Sequence, residues 1–214
     1  MRLCFLLSGG GGNLKFFKTS IESNLIDNIE LFAISDRDCP AIEYAKKKNM
    51  PAAIIKYTRD YNSELLGYLK KFNPDVIVTN WHKIIDSDVV ETYAGKMINL
   101  HYSLLPAFPG LIGVEPIANA YIAGCQFVGA TTHFVNNETD AGEIISQAVV
   151  KRKKDFDCTV NDVFRAGCLI LLNSVLIFSG SKKNFRKDDC FYSPSLVFDK
   201  HKFNQKFWNV VAGQ

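Results

Sequence analysis

Apolar and polar positions along the first half of the chain predict strands and helices in alternation. Arg2–Leu7 is a compact apolar run of the kind that forms a buried parallel strand. The pattern then alternates as far as residue 100. It predicts strands at Ile29–Ile34, Ala52–Lys56, Asp75–Thr79 and Lys96–Leu100, and helices at Leu14–Ser23, Ala41–Lys48 and Asn62–Phe72. Such alternation is typical of an α/β fold: a Rossmann-like, mostly parallel sheet with helices on both faces.

The second half of the chain has a different pattern. Two longer strand-like runs, Gln126–Val135 and Glu143–Val150, are joined by a polar loop that ends in glycine, which predicts a hairpin-like connection. Thr159-x-x-Asp162 resembles a capping box and predicts the start of a long apolar helix. We therefore expect one domain over residues 1–180. Residues 181–214 form an aromatic-rich extension that packs on this domain or on a partner subunit.

Composition excludes several classes of function. The net charge is only +3, and the one dense basic cluster, 151–154, has no interleaved aromatic residues, so nucleic acid is not an expected partner. The six cysteines lack zinc-binding spacing and fit reduced thiols in a cytoplasmic protein. The longest apolar run, 167–178, is shorter than the roughly 20 residues of a membrane span and contains Asn173 and Ser174. We expect no metal and no membrane segment, and a homodimer is compatible with the sequence.

Asn99 and His101 are the most informative polar pair in the chain. They lie two residues apart at the end of an apolar run, so their side chains share one face of a predicted strand. Such a pair can bind a developing oxyanion and transfer a proton. An isolated Asn-x-His is nevertheless more often structural. Its position at a strand carboxyl end, where parallel sheets bind ligands, favours function.

A glycine-rich loop, Ser8–Asn13, follows the first strand and precedes a helix. It has three interpretations. A dinucleotide fingerprint would use Asp36 as the ribose-binding acid, but its third glycine is missing. A simple phosphate cradle, to which Asn13 adds a side-chain donor, fits the residues better. A tight turn without a ligand stays open, and a P-loop is excluded because no Gly-Lys-Ser/Thr follows.

Three segments together resemble a known family. They are Ser8–Leu14, the stretch Asn99–Gly110 with its Asn-x-His and Ser-Leu-Leu-Pro elements, and Gly129–Gln147 with Asp140 in Thr-Asp-Ala-Gly. By itself, an Asp before Ala-Gly in a loop indicates turn chemistry. In this order, the segments resemble the folate-dependent formyltransferase superfamily over about residues 1–180. The resemblance is greatest to the glycinamide ribonucleotide (GAR) transformylases.

The resemblance implies an enzyme that takes the formyl group of 10-formyltetrahydrofolate, with Asn99, His101 and Asp140 as its catalytic trio. It also implies that the folate and the phosphate of the substrate bind mainly to backbone. The folate would contact His82, Lys83, Ile84, Ile85, Asn136, Asn137, Glu138 and Thr139, and the phosphate would contact Gly11, Gly12 and Asn13. Neither a metal nor a covalent intermediate is required.

The departures from the family pattern concern the acceptor. Gly110–Pro116 lacks a histidine that GAR transformylases usually have, and Cys168 aligns with a glutamate that grips the substrate ribose. Glu115–Asn119 is more similar to the branch that acts on nucleotide-linked amino sugars and on methionyl-tRNA, of which the tRNA enzymes carry an additional C-terminal domain and are disfavoured. GAR, a purine precursor, and an amino-sugar nucleotide are thus nearly equal candidates. The alternatives are a 10-formyltetrahydrofolate hydrolase, disfavoured because Met1 lies directly before the first strand, and a non-catalytic nucleotide-binding module.

Overall fold

The structure is a computed structural model that describes residues 1–58, 62–178, 191–194 and 196–213. The described chain forms two compact units. Unit 1 contains Met1–Ile98 and His201–Gln214, and unit 2 contains Asn99–Lys200. The strands are β1 (Arg2–Leu7), β2 (Glu30–Ser35), β3 (Ala52–Ile54), β4 (Val76–Asn80), β5 (Met97–His101), β6 (Phe127–Phe134), β7 (Ile144–Lys151) and β8 (Phe191–Ser193). The helices are α1 (Gly12–Glu22), α2 (Pro40–Lys47), α3 (Ser63–Phe72), α4 (Ser87–Thr92), α5 (Glu115–Ile122), α6 (Phe156–Phe178) and α7 (Gln205–Ala212).

Unit 1 is built from parallel strands connected by helices. Its strand order is β3-β2-β1-β4, and β5 follows β4. The central strand β1 lies between β2 and β4. Its residues Leu3 to Leu6 have no exposed surface. Such burial explains why β1 is apolar from Leu3 to Leu7 instead of alternating between apolar and polar residues.

The C-terminal helix α7 completes the core of unit 1. Phe16 of α1 is fully buried between aromatic rings of the chain terminus. Its ring stacks on Phe203 and on Trp208, each at a centroid distance of 5.5 Å, and meets the edge of Phe207 at 5.6 Å. The aromatic residues after position 200 therefore pack within the protein, whereas residues 181–190 of the predicted extension lie outside the described part.

Unit 2 is antiparallel. Strands β6 and β7 form a hairpin that confirms the predicted connection, and β8 pairs with the other edge of β7. Helix α6 packs on β6 and β7. Gly167 lets α6 come close to Tyr102, because a Cβ at position 167 would lie 2.9 Å from the Tyr102 ring. Unit 2 thus supplies the antiparallel part of a mostly parallel fold.

The start of α6 differs from the sequence prediction. The helix begins at Phe156, one turn before Thr159. The Asp155 carboxylate accepts a hydrogen bond from the Cys158 N–H at 2.7 Å, and the Thr159 hydroxyl donates to the Asp155 carbonyl at 3.1 Å. The predicted capping box at Thr159 is therefore wrong. Asp155 fulfils the role of the cap, since its carboxylate takes up an N–H of the first turn.

Helix α6 is long and apolar enough to cross a membrane by length and composition alone. The apolar run at 167–178, which by itself is too short for a membrane span, lies within this helix of 23 residues. Burial is more informative, since 61% of its most apolar window is buried in the protein. Most of its residues from Ala166 to Val175 lie in the core. These properties are typical of the core helix of a soluble protein.

Candidate active site

The carboxyl end of β5 brings a polar pair into a buried region of unit 2. Asn99 and His101 share one face of the strand, and His101 is only 5% exposed. The Asp140 carboxylate lies beside both side chains. The Asn99 Nδ2 donates to Asp140 Oδ1 at 3.2 Å, and the His101 Nδ1 lies 3.2 Å from Asp140 Oδ2. The three residues predicted as a catalytic trio are thus in contact, although they come from segments 39 or more positions apart.

The loop between β6 and β7 fixes the position of Asp140. Asp140 adopts a left-handed backbone conformation with φ of 53°, which aspartate tolerates better than most residues. Gly142 follows against the backbone of Phe134, where the carbonyl oxygen leaves no room for a Cβ. The Gly110 N–H donates to Asp140 Oδ2 at 2.7 Å. Turn chemistry and a place in the polar cluster therefore coexist at this aspartate.

The surroundings of Asp140 keep its carboxyl group ionised. Burial by itself raises the pKa of the group, since it penalises the charged form. Hydrogen bonds from His133 and from the Gly110 N–H, and the nearby charge of His101, act in the opposite direction and are stronger together. The pKa of Asp140 consequently lies below its ordinary value. The site therefore holds a permanent negative charge at neutral pH.

His101 has an acceptor on each ring nitrogen. Nδ1 faces the Asp140 carboxylate, and Nε2 lies 2.9 Å from the Phe108 carbonyl oxygen. An ionised carboxylate and a carbonyl oxygen only accept hydrogen bonds, so the doubly protonated ring satisfies both partners. Phe108 has φ of 56°, a conformation that bulky side chains rarely adopt and that often occurs at functional sites.

His133 also belongs to the cluster, and the sequence reasoning missed it. Its Nε2 lies 3.3 Å from Asn99 Nδ2 and 3.4 Å from Asp140 Oδ1, while Nδ1 donates to the Phe134 carbonyl at 2.8 Å. The neutral ring accepts from Asn99, and the protonated ring donates to Asp140. A shift in the β6–β7 register between Thr132 and His133 accompanies this placement. The available signal was a histidine seven residues before Asp140, on the predicted strand that leads into the same loop.

The glycine loop in unit 1 leads directly into α1. Gly11 has φ of 68°, and a Cβ there would lie 2.6 Å from the Ala41 Cβ, so only glycine fits. Helix α1 begins at Gly12 without a side-chain cap or an acidic residue in its first turn. Backbone N–H groups at such a helix end favour an anion. The Asn13 side chain is buried and donates to Asn80 Oδ1 at 3.2 Å.

Asp36 is engaged inside unit 1 rather than open to a ribose. Its side chain is 3% exposed and forms an ion pair with Arg37 at 2.7 Å. Its Oδ1 accepts hydrogen bonds from Ser8 Oγ at 3.0 Å and from Trp81 Nε1 at 2.9 Å. A ribose-binding acid needs a free carboxylate edge. These contacts count against the dinucleotide interpretation.

The predicted folate-binding segments are exposed. In unit 1, His82, Lys83 and Ile84 follow β4 and face solvent, and Ile85 is partly buried. The side chain of Ile84 is 63% exposed. In unit 2, residues 136–139 form an exposed loop. The two segments belong to different units and stay predicted contacts.

The positions where the sequence departs from the family pattern have plain structural environments. Cys168 is fully buried in α6, so its side chain has no access to a ligand in solvent. Glu115 begins α5, and its Oε2 accepts from the Ile112 N–H at 3.5 Å. Among the described residues, no group of three or more His, Cys, Asp or Glu side chains is arranged to hold a metal ion.

Comparison with known proteins identifies the family. The formyl transferase family model matches residues 1–165. The chain belongs to the formyl transferase family. Among solved structures, GAR transformylase 1 from Symbiobacterium toebii superposes with a TM-score of 0.76 at 24% identity and covers 88% of this chain and 92% of its own. The phosphoribosylglycinamide formyltransferase from Coxiella burnetii gives a TM-score of 0.76 at 26% identity, covering 89% and 92%. These matches confirm the predicted α/β fold class.

Curated relatives include two named activities at almost equal similarity. The chloroplastic phosphoribosylglycinamide formyltransferase of Arabidopsis thaliana is 31% identical over 70% of this chain and 55% of its own length. The formyltetrahydrofolate deformylase of Haemophilus influenzae is 32% identical over 65% of this chain and 50% of its own. The chain spans about half the length of these relatives. Similarity alone therefore does not separate formyl transfer from deformylation.

Proposed function

We propose that this protein is an N-formyltransferase. It moves the formyl group of 10-formyltetrahydrofolate to a primary amine of a small molecule that carries a phosphate. The observation that supports this function best is the contact between Asn99, His101 and Asp140, in which a buried, ionised carboxylate faces a histidine with acceptors at both nitrogens. Membership of the formyl transferase family supports the same reaction.

In the proposed reaction, 10-formyltetrahydrofolate supplies the formyl group. The amine nitrogen bonds to the formyl carbon, the bond from this carbon to N10 breaks, and the proton lost by the amine goes to N10. Asn99 and the protonated His101 donate hydrogen bonds to the formyl oxygen as it gains negative charge. Asp140 holds the positive charge on His101 and relays the proton, directly or through water.

Both oxyanion donors have protein partners in the absence of substrate. Asn99 Nδ2 donates to Asp140, and His101 Nε2 lies against the Phe108 carbonyl. The formyl oxygen would replace these acceptors, so the donors are oriented and never left unpaired before substrate binds. Exchange of one acceptor for another limits the cost of desolvating buried donors.

The acceptor phosphate is proposed to bind Gly11, Gly12 and Asn13. This assignment is supported by the uncapped start of α1 and by the absence of acidic residues in its first turn. GAR and a nucleotide-linked amino sugar both carry phosphate and both remain candidates. The relatives named as phosphoribosylglycinamide formyltransferases favour GAR. The departures from the family pattern at 110–116 and at Cys168 argue against GAR, and the sequence at 115–119 favours the amino sugar.

The decisive experiment measures release of tetrahydrofolate by absorbance. The protein is incubated with 10-formyltetrahydrofolate and GAR, with several nucleotide-linked amino sugars, or without an acceptor. Turnover that requires an amine supports the proposal and identifies the acceptor. His101→Ala is the matched inactive variant and should lower turnover by about 10²-fold or more. Near-normal turnover in this variant would refute the role of His101.

Deformylation is the second candidate, because a deformylase is as similar to this chain as a transformylase. It would use the same trio, with water in place of the amine. The same assay separates the two reactions. Formate released at an equal rate with and without amines would establish the hydrolase and exclude the transferase.

A further inference from the structure

Segment 82–85, the predicted folate contact of unit 1, is fastened at its start by buried polar groups. The Trp81 Nε1 donates to Asp36 Oδ1 at 2.9 Å. The His82 N–H donates to Ser8 Oγ at 3.2 Å, and the Ser8 hydroxyl in turn donates to the same Asp36 oxygen at 3.0 Å. Ser8 is 7% exposed, and the Asp36 side chain is 3% exposed. Trp81 and the backbone of His82, at the start of the segment, are therefore both held through the buried Asp36 carboxylate.

The far end of the segment is fastened by Tyr57. Its ring packs against Trp81 at a centroid distance of 4.7 Å. Its hydroxyl accepts from the Asp86 N–H at 2.7 Å and donates to the Ile84 carbonyl at 3.4 Å. Between these two anchors, His82, Lys83 and Ile84 are exposed. An exposed backbone held at both ends is suited to bind a ligand, because little conformational entropy is left to lose.

We propose that Ser8, Asp36 and Trp81 are positioning residues for folate binding, acting through the backbone of segment 82–85. This inference rests on the proposed function. The inference goes beyond that function because the three residues fix segment 82–85 and are not themselves assigned a contact with the folate. Ser8 also begins the glycine loop, so one side chain joins the proposed phosphate-binding loop to the proposed folate-binding segment.

The charge on Asp36 makes these contacts strong. Burial raises the pKa of the Asp36 carboxyl, but the Arg37 guanidinium, Ser8 and Trp81 lower it by a larger amount in total, so the group is ionised. Hydrogen bonds to an ionised acceptor are about twice as strong as those between neutral groups. Loss of the indole N–H should therefore loosen the start of the segment more than loss of an ordinary surface contact.

The test uses Trp81→Phe, which removes the N–H and retains an aromatic ring against Tyr57. Trp208→Phe is the matched control, because it makes the same exchange at the only other tryptophan, in α7. Tetrahydrofolate binding is measured by isothermal titration calorimetry. Trp81→Phe should weaken tetrahydrofolate binding by about fivefold or more, which is the lower end of the range for energetic coupling between separate sites. Trp208→Phe should leave the affinity for tetrahydrofolate unchanged.

Kinetics provide a readout that a purely structural role would not move. The KM for 10-formyltetrahydrofolate should rise in Trp81→Phe while kcat at saturating folate changes by less than about twofold, as expected for uniform binding. Ser8→Ala serves as a second variant. It should likewise raise the KM for 10-formyltetrahydrofolate and change kcat by less than about twofold. Wild-type protein that binds tetrahydrofolate, with unchanged affinity in both variants, would overturn this inference alone. Absence of binding by the wild type would overturn the proposed function as well.

Discussion

Asp140→Asn provides the most direct test of the polar cluster. The change keeps the size of the side chain and removes its charge. In the wild type, Asp140 Oδ2 accepts from the Gly110 N–H at 2.7 Å and lies 3.2 Å from His101 Nδ1. The amide retains one oxygen for these partners but carries no negative charge. We therefore expect the protein to remain folded and the chemical step to slow.

The structure sets the size of this effect. A hydrogen bond to a charged group contributes about 1.5–3 kcal/mol. Solvent screening is weak here, because the His101 and Asp140 side chains are 5% and 8% exposed. At about 1.4 kcal/mol per tenfold change in rate, stabilisation of this size that is specific to the transition state corresponds to a decrease of about 10- to 10²-fold when it is lost. Loss of proton transfer extends the decrease towards the 10²- to 10⁴-fold range of acid–base catalysis.

The assay measures kcat from tetrahydrofolate release at saturating folate and acceptor, together with the midpoint of thermal unfolding. Asp162→Asn is the control in the same unit, since this carboxylate also pairs with a cation, Lys153, but is partly exposed. A surface pair contributes at most about 1 kcal/mol and should leave kcat nearly unchanged. If Asp140→Asn retained kcat within about fivefold of the wild type, the proposed role of the carboxylate would be incorrect.

Three further predictions concern pH, the glycine loop and the core. Because the pKa of Asp140 is lowered in the folded protein, its contribution to stability is complete above the ordinary carboxyl pKa and disappears as the pH falls through the folded-state value. Urea unfolding over a pH series should show a constant difference between wild type and Asp140→Asn at neutral pH and a shrinking one in acid. In Gly11→Ala, the new Cβ would lie 2.6 Å from the Ala41 Cβ, and the backbone would keep φ of 68°. The substitution should therefore lower the free energy of unfolding by about 1–3 kcal/mol and raise the acceptor KM. Unchanged values of both would contradict the requirement for glycine at this position. Phe16→Ala should cost about 3–5 kcal/mol in urea unfolding, since the ring is fully buried; a cost below about 1 kcal/mol would show that α7 does not close this core.

The sequence predicted the periodic elements well, because burial imposes a clear pattern on them. The observed β1 coincides with the predicted strand at Arg2–Leu7, and the predicted strand at Lys96–Leu100 is shifted by one residue to Met97–His101. The short helices α4 and α5 were not predicted. Each spans only two turns or so, and too few apolar positions recur in such a length to establish a helical period.

The candidate site was predictable only in part. Asn99 and His101 were visible because they share a strand face, and Asp140 was visible through a family resemblance. His133 was not, since its place depends on the hairpin register, which shifts at that residue. The contact of Ser8 with His82 spans 74 positions and involves a backbone N–H, which leaves no pattern in the residue types.

The near-complete burial of the Asp140 and His101 pair has a consequence for ionic strength. Mobile ions screen charges in solvent within about 10 Å at 0.1 M salt, but they hardly reach side chains that are only 5% and 8% exposed. The chemical step should therefore proceed at the same rate in dilute and concentrated salt. The proposed phosphate contact at Gly11 to Asn13 lies at a helix end, where added anions compete directly. Salt thus separates recognition of the acceptor from the chemistry without any change to the chain.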